Sequence, residues 1–235
     1  MGSVTTTGTC DASSAGTSCG RASRGRETVA GRSERHATVD REPLPTDGNV
    51  LLLAPSIGWA EREACTDFVG HGPLDITNQI HVLYVESPAA RYEIVEEALP
   101  HHPAETAVVT VGSGDPVATR RPEPPHVDYH VESVADPGDL TGLGMALQDC
   151  LRAWQGDGYD VGLCFDSLSI LLQYAEVERV YRFLHVLTRR LSTAGASAHF
   201  HLDPAAHDER TVARLSALFD SVVEVTSDGD RTVRK

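Results

Sequence analysis

Asp160-Val161-Gly162-Leu163-Cys164-Phe165-Asp166-Ser167 is the stretch whose reading decides the fold. Its middle is a continuous apolar run without two-residue alternation, and such a run reads as a strand covered on both faces. On its amino side, Asp139 can cap a helix whose apolar positions are Leu140, Leu143, Leu147, Leu151 and Trp154, at steps of three and four. On its carboxyl side, Val177, Val180, Tyr181, Leu184, Leu187 and Leu191 line one face of a long helix that ends near Gly195. Ala198 to Leu202 is then the next strand. A strand flanked by helix-length crossovers belongs to a parallel sheet, because parallel neighbours cannot be joined by a tight turn.

The same alternation extends in both directions. Val50 to Leu53 reads as a strand, Ala60 to Val69 as a helix and His81 to Val85 as a strand. Ser87-Pro88 opens a helix with Ser as cap and Pro at the first helical position; its apolar face is Ile94, Val95, Ala98 and Leu99, and Pro100 stops it. Thr106 to Val111 is a β-branched strand ending at Gly112-Ser113-Gly114. Asp115 to Pro125 holds four prolines and reads as a loop. Val127 to Val131 reads as a short strand, Thr211 to Phe219 as a helical segment and Val222 to Val225 as a closing strand. The pattern predicts an α/β domain over residues 48–235, a mostly parallel sheet sandwiched by helices. Residues 1–47, rich in Ser, Thr, Gly and Arg without apolar period, predict a disordered tail.

The net charge is −14, and residues 1–47 are balanced, with six arginines and six acidic side chains. The excess therefore lies in residues 48–235, with 14 basic against 28 acidic side chains; Lys235 is the single lysine. Such a surface looks like salt adaptation of the haloarchaeal kind. It argues against a nucleic-acid partner, since neutralising phosphates needs clustered Lys and Arg. No apolar run approaches the length of a membrane span and no signal-like apolar region follows the start, so a cytoplasmic protein is expected. Five cysteines (Cys10, Cys19, Cys65, Cys150, Cys164) include no C-x-x-C pair. Cys65, Cys150 and Cys164 sit in apolar segments, where a reduced thiol behaves as a small hydrophobe.

Ligand sites in parallel α/β sheets form at the carboxyl ends of strands, and four positions there carry candidate chemistry. Asp166 ends an apolar strand and is followed by Ser167; a carboxylate so placed holds Mg²⁺ beside a nucleotide, or caps the next turn. Glu86 follows the strand His81 to Val85, where it can orient an attacking water or serve as a carboxylate near a helix amino end. The turn Ala54 to Ala60 is where a phosphate cradle belongs. Only Gly58 offers a free backbone there, and Trp59 and Ala60 stand where G-x-x-x-x-G-K-[ST] has its second Gly and its Lys. Glu61 and Glu63 are expected to occupy the positive helix end that a phosphate requires. Last, strand alternation points His199, His201 and Asp203 to one face. That set reads as metal ligands of a hydrolase, or as histidines packed under a helix with Asp203 capping at Pro204.

Together these segments resemble the RecA/KaiC-type branch of P-loop ATPases, and most closely its degenerate haloarchaeal KaiC-like, transducer-like proteins. Leu83-Tyr84-Val85-Glu86-Ser87-Pro88 resembles that branch's second strand and helix start. Asp139 to Ala146 is similar to its following helix, Val161 to Leu171 to its acidic strand and turn, and Phe219 to Val225 to its closing strand. The resemblance covers about residues 48 to 226. It implies a RecA-like sheet, ATP and Mg²⁺ as ligands, and assembly with further copies of the chain. It implies Glu86 as the catalytic carboxylate, Asp166 as the magnesium-associated one, and Ser56, Gly58, Asp166 and Ser167 as the vestigial nucleotide site.

With no lysine in the loop, the expectation is a non-hydrolysing regulatory or signalling protein that acts through a protein partner and needs no cofactor. The rival expectation is an altered nucleotide-dependent ATPase using Asp166 and Glu86. A metal-dependent hydrolase built on His199, His201 and Asp203 is the third.

Overall fold

The computed structural model describes residues 42–70, 77–98, 103–112 and 129–235. Its strands are β1 (Asn49–Leu53), β2 (Thr77–Leu83), β3 (Thr106–Val111), β4 (Tyr129–Val134), β5 (Asp160–Asp166), β6 (Ser197–Leu202), β7 (Ser221–Val225) and β8 (Arg231–Arg234). Its α-helices are α1 (Trp59–Val69), α2 (Pro88–Ala98), α3 (Leu140–Ala153), α4 (Leu168–Tyr174), α5 (Val177–Ala194) and α6 (Glu209–Ser216). The strands form one sheet in the order β4-β3-β2-β5-β6-β1-β7-β8. Every pairing is parallel except β7 with β8. The expected α/β architecture is therefore present.

Alternation along β1 sorts the helices onto two faces. Leu51 and Leu53 share a core with residues of α3, α4, α5 and α6, whereas Val50 and Leu52 pack with Ala60 and Ala64 of α1. α2 lies beside α1. The connections leaving β1 and β2 thus run over one face, and those leaving β5 and β6 over the other. The sense of winding changes between β6 and β1 and again between β2 and β5. Adjacent strands whose connections part to opposite faces leave a crevice at their carboxyl ends.

Several boundaries differ from those read off the sequence. β2 begins four residues earlier than expected, at Thr77, and ends at Leu83, so Glu86 stands beyond a bend rather than at the strand's end. Its polar start hid it: Thr77, Asn78 and Gln79 are buried, and Asn78 is tied to Asp157 at 2.9 Å. The expected turn after Asp166 is a helix, α4, capped by the Ser167 hydroxyl accepting from the Ile170 amide. α6 spans Glu209–Ser216 because Asp208 caps it, accepting from the Thr211 amide at 2.9 Å. β8 was not expected, since Arg231-Thr232-Val233-Arg234 carries one apolar residue; it closes back on β7 through the turn from Thr226 to Asp230. Leu44, placed in the tail by sequence, is buried against Val50 and Leu52.

The tail up to residue 41, residues 113–114, the loop from Asp115 to Pro125, Val127, and the helix end at Leu99 and Pro100 lie outside the described residues. No helix among the described residues is long and apolar enough to cross a membrane.

Candidate functional site

Arg91, on the first turns of α2, is buried and reaches across to β5. Ser87 sets the start of this helix, its hydroxyl accepting from the Ala90 amide at 3.2 Å and its carbonyl from the Arg91 amide at 3.0 Å. The guanidinium then faces three partners, as an ion pair with Glu86 and through hydrogen bonds to Asp166 and Cys65. Nε lies 2.5 Å from Glu86 Oε2, Nη2 lies 2.5 Å from Asp166 Oδ2, and Nη1 donates to Cys65 Sγ at 3.3 Å. Burial pushes the Glu86 carboxyl above its ordinary range, Arg91 pulls it back, and the neighbouring Asp166 charge adds to the rise. Burial opposes the charge on Arg91 as well, but the thiols, Asp166 and Glu86 overcome it and hold the guanidinium protonated.

Beneath α1 and α2 the pleat of the sheet gathers four more polar side chains. His81, Cys164 and His199 are register partners across β2, β5 and β6, and His201 follows two residues later on the same face. Cys65 enters from α1. Its Sγ lies 3.6 Å from Cys164 Sγ and 3.4 Å from His199 Nε2, and Cys164 Sγ lies 3.6 Å from His201 Nε2. Phe68, one turn along α1 from Cys65, stacks on the His199 ring at 4.8 Å and 11°. On the far side of His201, Nδ1 lies 2.6 Å from Glu61 Oε1. All of these except Glu61 and Phe68 are buried.

The electrostatics of the cluster are polarised. The hydrogen bond from Cys164 holds the Cys65 thiol well below the usual range, against the opposing effect of burial, with His201 and Arg91 adding to the fall. Burial disfavours a charged His201, yet the Cys65 charge and the Glu61 contact outweigh it and raise its pKa to about 10. Burial lowers His81 to about 3, so it is a neutral ring throughout the physiological range.

The sequence-predicted residues fall into three places. Glu86 and Asp166 are brought together, with Arg91 between them rather than open space. Ser167 spends its hydroxyl on capping α4, and the Asp166–Ser167 peptide is cis. In the β1–α1 turn, the Ser56 amide donates to Asp203 Oδ2 at 3.0 Å, so a carboxylate of the chain already sits on that amide. Gly58 is in the positive-φ region at 140°, a conformation that suits glycine, and its amino-terminal position on α1 carries no side-chain cap. Trp59 is 46 % exposed.

Two expectations are revised here. Glu61 does not close the amino end of α1: its carboxylate swings to His201 on β6, and Glu63 reaches within 3.9 Å of Arg231 on β8. Asp203 does not join His199 and His201. Its two oxygens accept from the Ser56 amide and from the Ala205 amide at 2.9 Å, the cap expected before Pro204. The partners of the histidines are Cys65 and Cys164, which sequence spacing could not signal because they lie on separate elements, far from each other and from β6 in the chain.

The family model for DUF7504, a family of unknown function, matches residues 48–225. The chain belongs to that family. Among curated proteins this DUF7504 chain finds no match. Among solved structures it is similar to a chain from Pyrococcus horikoshii OT3, with 11% identity and a TM-score of 0.49, covering 81% of this chain and 86% of that one.

Proposed function

We propose that the chain is a non-hydrolysing RecA/KaiC-like protein that works as a scaffold through contacts with a protein partner. The observation that carries this reading is Arg91 between Glu86 and Asp166. In a nucleotidase the second of these carboxylates would serve the magnesium ion and the first the attacking water. Here one internal cation neutralises both, at 2.5 Å each. The β1–α1 turn argues the same way, because the Ser56 amide is held by Asp203 and no lysine stands in the turn. An anion arriving at that turn meets a carboxylate where a phosphate cradle would present free amides.

A surface suited to a partner exists on the opposite face of the sheet. Met145 of α3 and Val186 of α5, exposed at 61% and 49%, flank a groove edged by Arg179, Arg182 and Arg190. Apolar side chains rimmed by arginines are the composition that protein interfaces favour.

A phosphate-release assay with Mg²⁺ and ATP in molar KCl tests the reading. No release above the protein-free control is expected. Turnover that disappears in Glu86→Gln would overturn it and favour the nucleotide-dependent ATPase instead.

A further inference from the structure

We propose that Cys65, Cys164, His199 and His201 form a structural zinc site that fastens α1 to strands β5 and β6. The inference is independent of any nucleotide chemistry. The four donor atoms lie within 4.8 Å of one another, and all four residues are buried. With Zn–S near 2.3 Å and Zn–N near 2.0–2.1 Å, a regular tetrahedron has S···S edges of about 3.8 Å and S···N edges of about 3.5 Å. The chain holds its donors at 3.6 Å for sulfur to sulfur, and at 3.4 and 3.6 Å for sulfur to nitrogen. These three of the six donor–donor edges match the ion's coordination shell, and the other three lie within 4.8 Å.

The surroundings are those a bound zinc needs. His201 turns Nε2 to the thiols and presents Nδ1 to Glu61 at 2.6 Å, so a carboxylate fixes the tautomer that leaves Nε2 free to ligate. Arg91 Nη1 donates to Cys65 Sγ at 3.3 Å and reaches Cys164 Sγ at 3.9 Å, offsetting thiolate charge. The stacked Phe68 ring fixes the plane of His199. Once zinc has displaced the thiol protons and the Nε2 proton of His201, two thiolates and two neutral imidazoles are a donor set that favours the ion, with a net charge of zero. Since the protein supplies all four ligands in a buried position, no coordination site is left for substrate, and the role is structural.

Two simpler alternatives fit less well. Cys65 and Cys164 are free thiols with their sulfurs 3.6 Å apart, against the about 2.05 Å of an S–S bond. Two thiols packed merely as small hydrophobes would not recruit two imidazoles, a guanidinium and a carboxylate into a buried space, where each polar group carries a desolvation cost.

The test uses the full chain without a histidine tag, purified from cells grown with zinc and analysed for bound metals. One zinc ion per chain is expected. Cys65→Ser, Cys164→Ser and His199→Asn should each lose most of it, while Asp203→Asn and the Cys10→Ser/Cys19→Ser double variant should keep it. Because the ligand variants can fail to fold, the wild type carries a second measurement. Alkylation of native protein should leave Cys65 and Cys164 unmodified until a strong chelator is added, and cobalt added to stripped protein should give the absorption of tetrahedral thiolate–cobalt. Wild-type protein that carries no zinc and does not respond to cobalt overturns the proposal. So does iron in place of zinc, or a Cys65–Cys164 disulfide found by mass spectrometry.

Discussion

Nη2 of Arg91 lies 2.5 Å from Oδ2 of Asp166, a contact between the first turns of α2 and the last residue of β5. Nε of the same side chain holds Glu86. The three guanidinium nitrogens face Glu86, Asp166 and Cys65 from fixed positions in one plane, a spread that the point-like ammonium of a lysine does not reproduce. Arg91→Met should therefore destabilise the fold by about 1–3 kcal/mol, leaving two half-buried carboxylates without their counter-charge. Arg91→Lys should recover only part of that loss. Urea unfolding of the three proteins at matched salt checks both expectations.

Packing at the sheet's centre gives a second prediction. Gly162 on β5 pairs with Gln79 on β2, and a Cβ at Gly162 would lie 2.6 Å from the Gln79 amide atoms. Gln79 is itself buried, but its amide is the free end of a flexible side chain and borders a cavity that Gly162 also lines, so it can swing aside. Gly162→Ala should therefore cost about 1 kcal/mol, the low end of the range for overpacked sites. Gln79→Ala in the same chain should restore part of it. A double-mutant cycle by denaturant unfolding reads the coupling directly.

The third prediction concerns acid. His81 is buried beside Cys164 with neither ring nitrogen hydrogen-bonded, and burial lowers its pKa to about 3. The unfolded chain takes up this proton near pH 6.5, whereas the folded chain does not until about pH 3. The contribution of His81 is thus fully present above pH 6.5 and is lost progressively as the pH falls through that window. In His81→Leu this part of the acid slope should vanish, and the variant should be more stable than wild type at pH 5. Thermal melts from pH 7 down to pH 4 measure it.

Charge gives the fourth. From residue 48 onward acidic side chains outnumber basic ones by two to one. The screening length falls from about 10 Å at 0.1 M salt to about 3 Å at 1 M, so self-repulsion of that surface should fade with added KCl. The melting temperature is expected to rise from dilute buffer to molar KCl; an unchanged value would remove the salt-adaptation reading.

How far the sequence could be read follows from what each signal depends on. The apolar runs of β1, β3 and β5 and the three-and-four spacing of α3 and α5 are local properties, and the structure places those elements where the pattern put them. The start of β2 is hidden because its buried Thr77-Asn78-Gln79 is polar, and β8 is hidden because two arginines bracket a threonine and a single valine. The site was less legible for the same reason in stronger form. The H-x-H pair on β6 was visible, but its partners Cys65 and Cys164 come from α1 and β5, and only the sheet order makes them neighbours. Nor could spacing show that Arg91 would fold back on Glu86 and Asp166, or that Asp203 would turn to Ser56 instead of the histidines.

Titration calorimetry of the full chain with ATP and Mg²⁺ in molar KCl tests the central claim most directly. With Asp166 and Glu86 held by Arg91, and the Ser56 amide held by Asp203, no heat beyond dilution is expected up to millimolar nucleotide. Micromolar binding that is lost in Asp166→Ala would contradict the account.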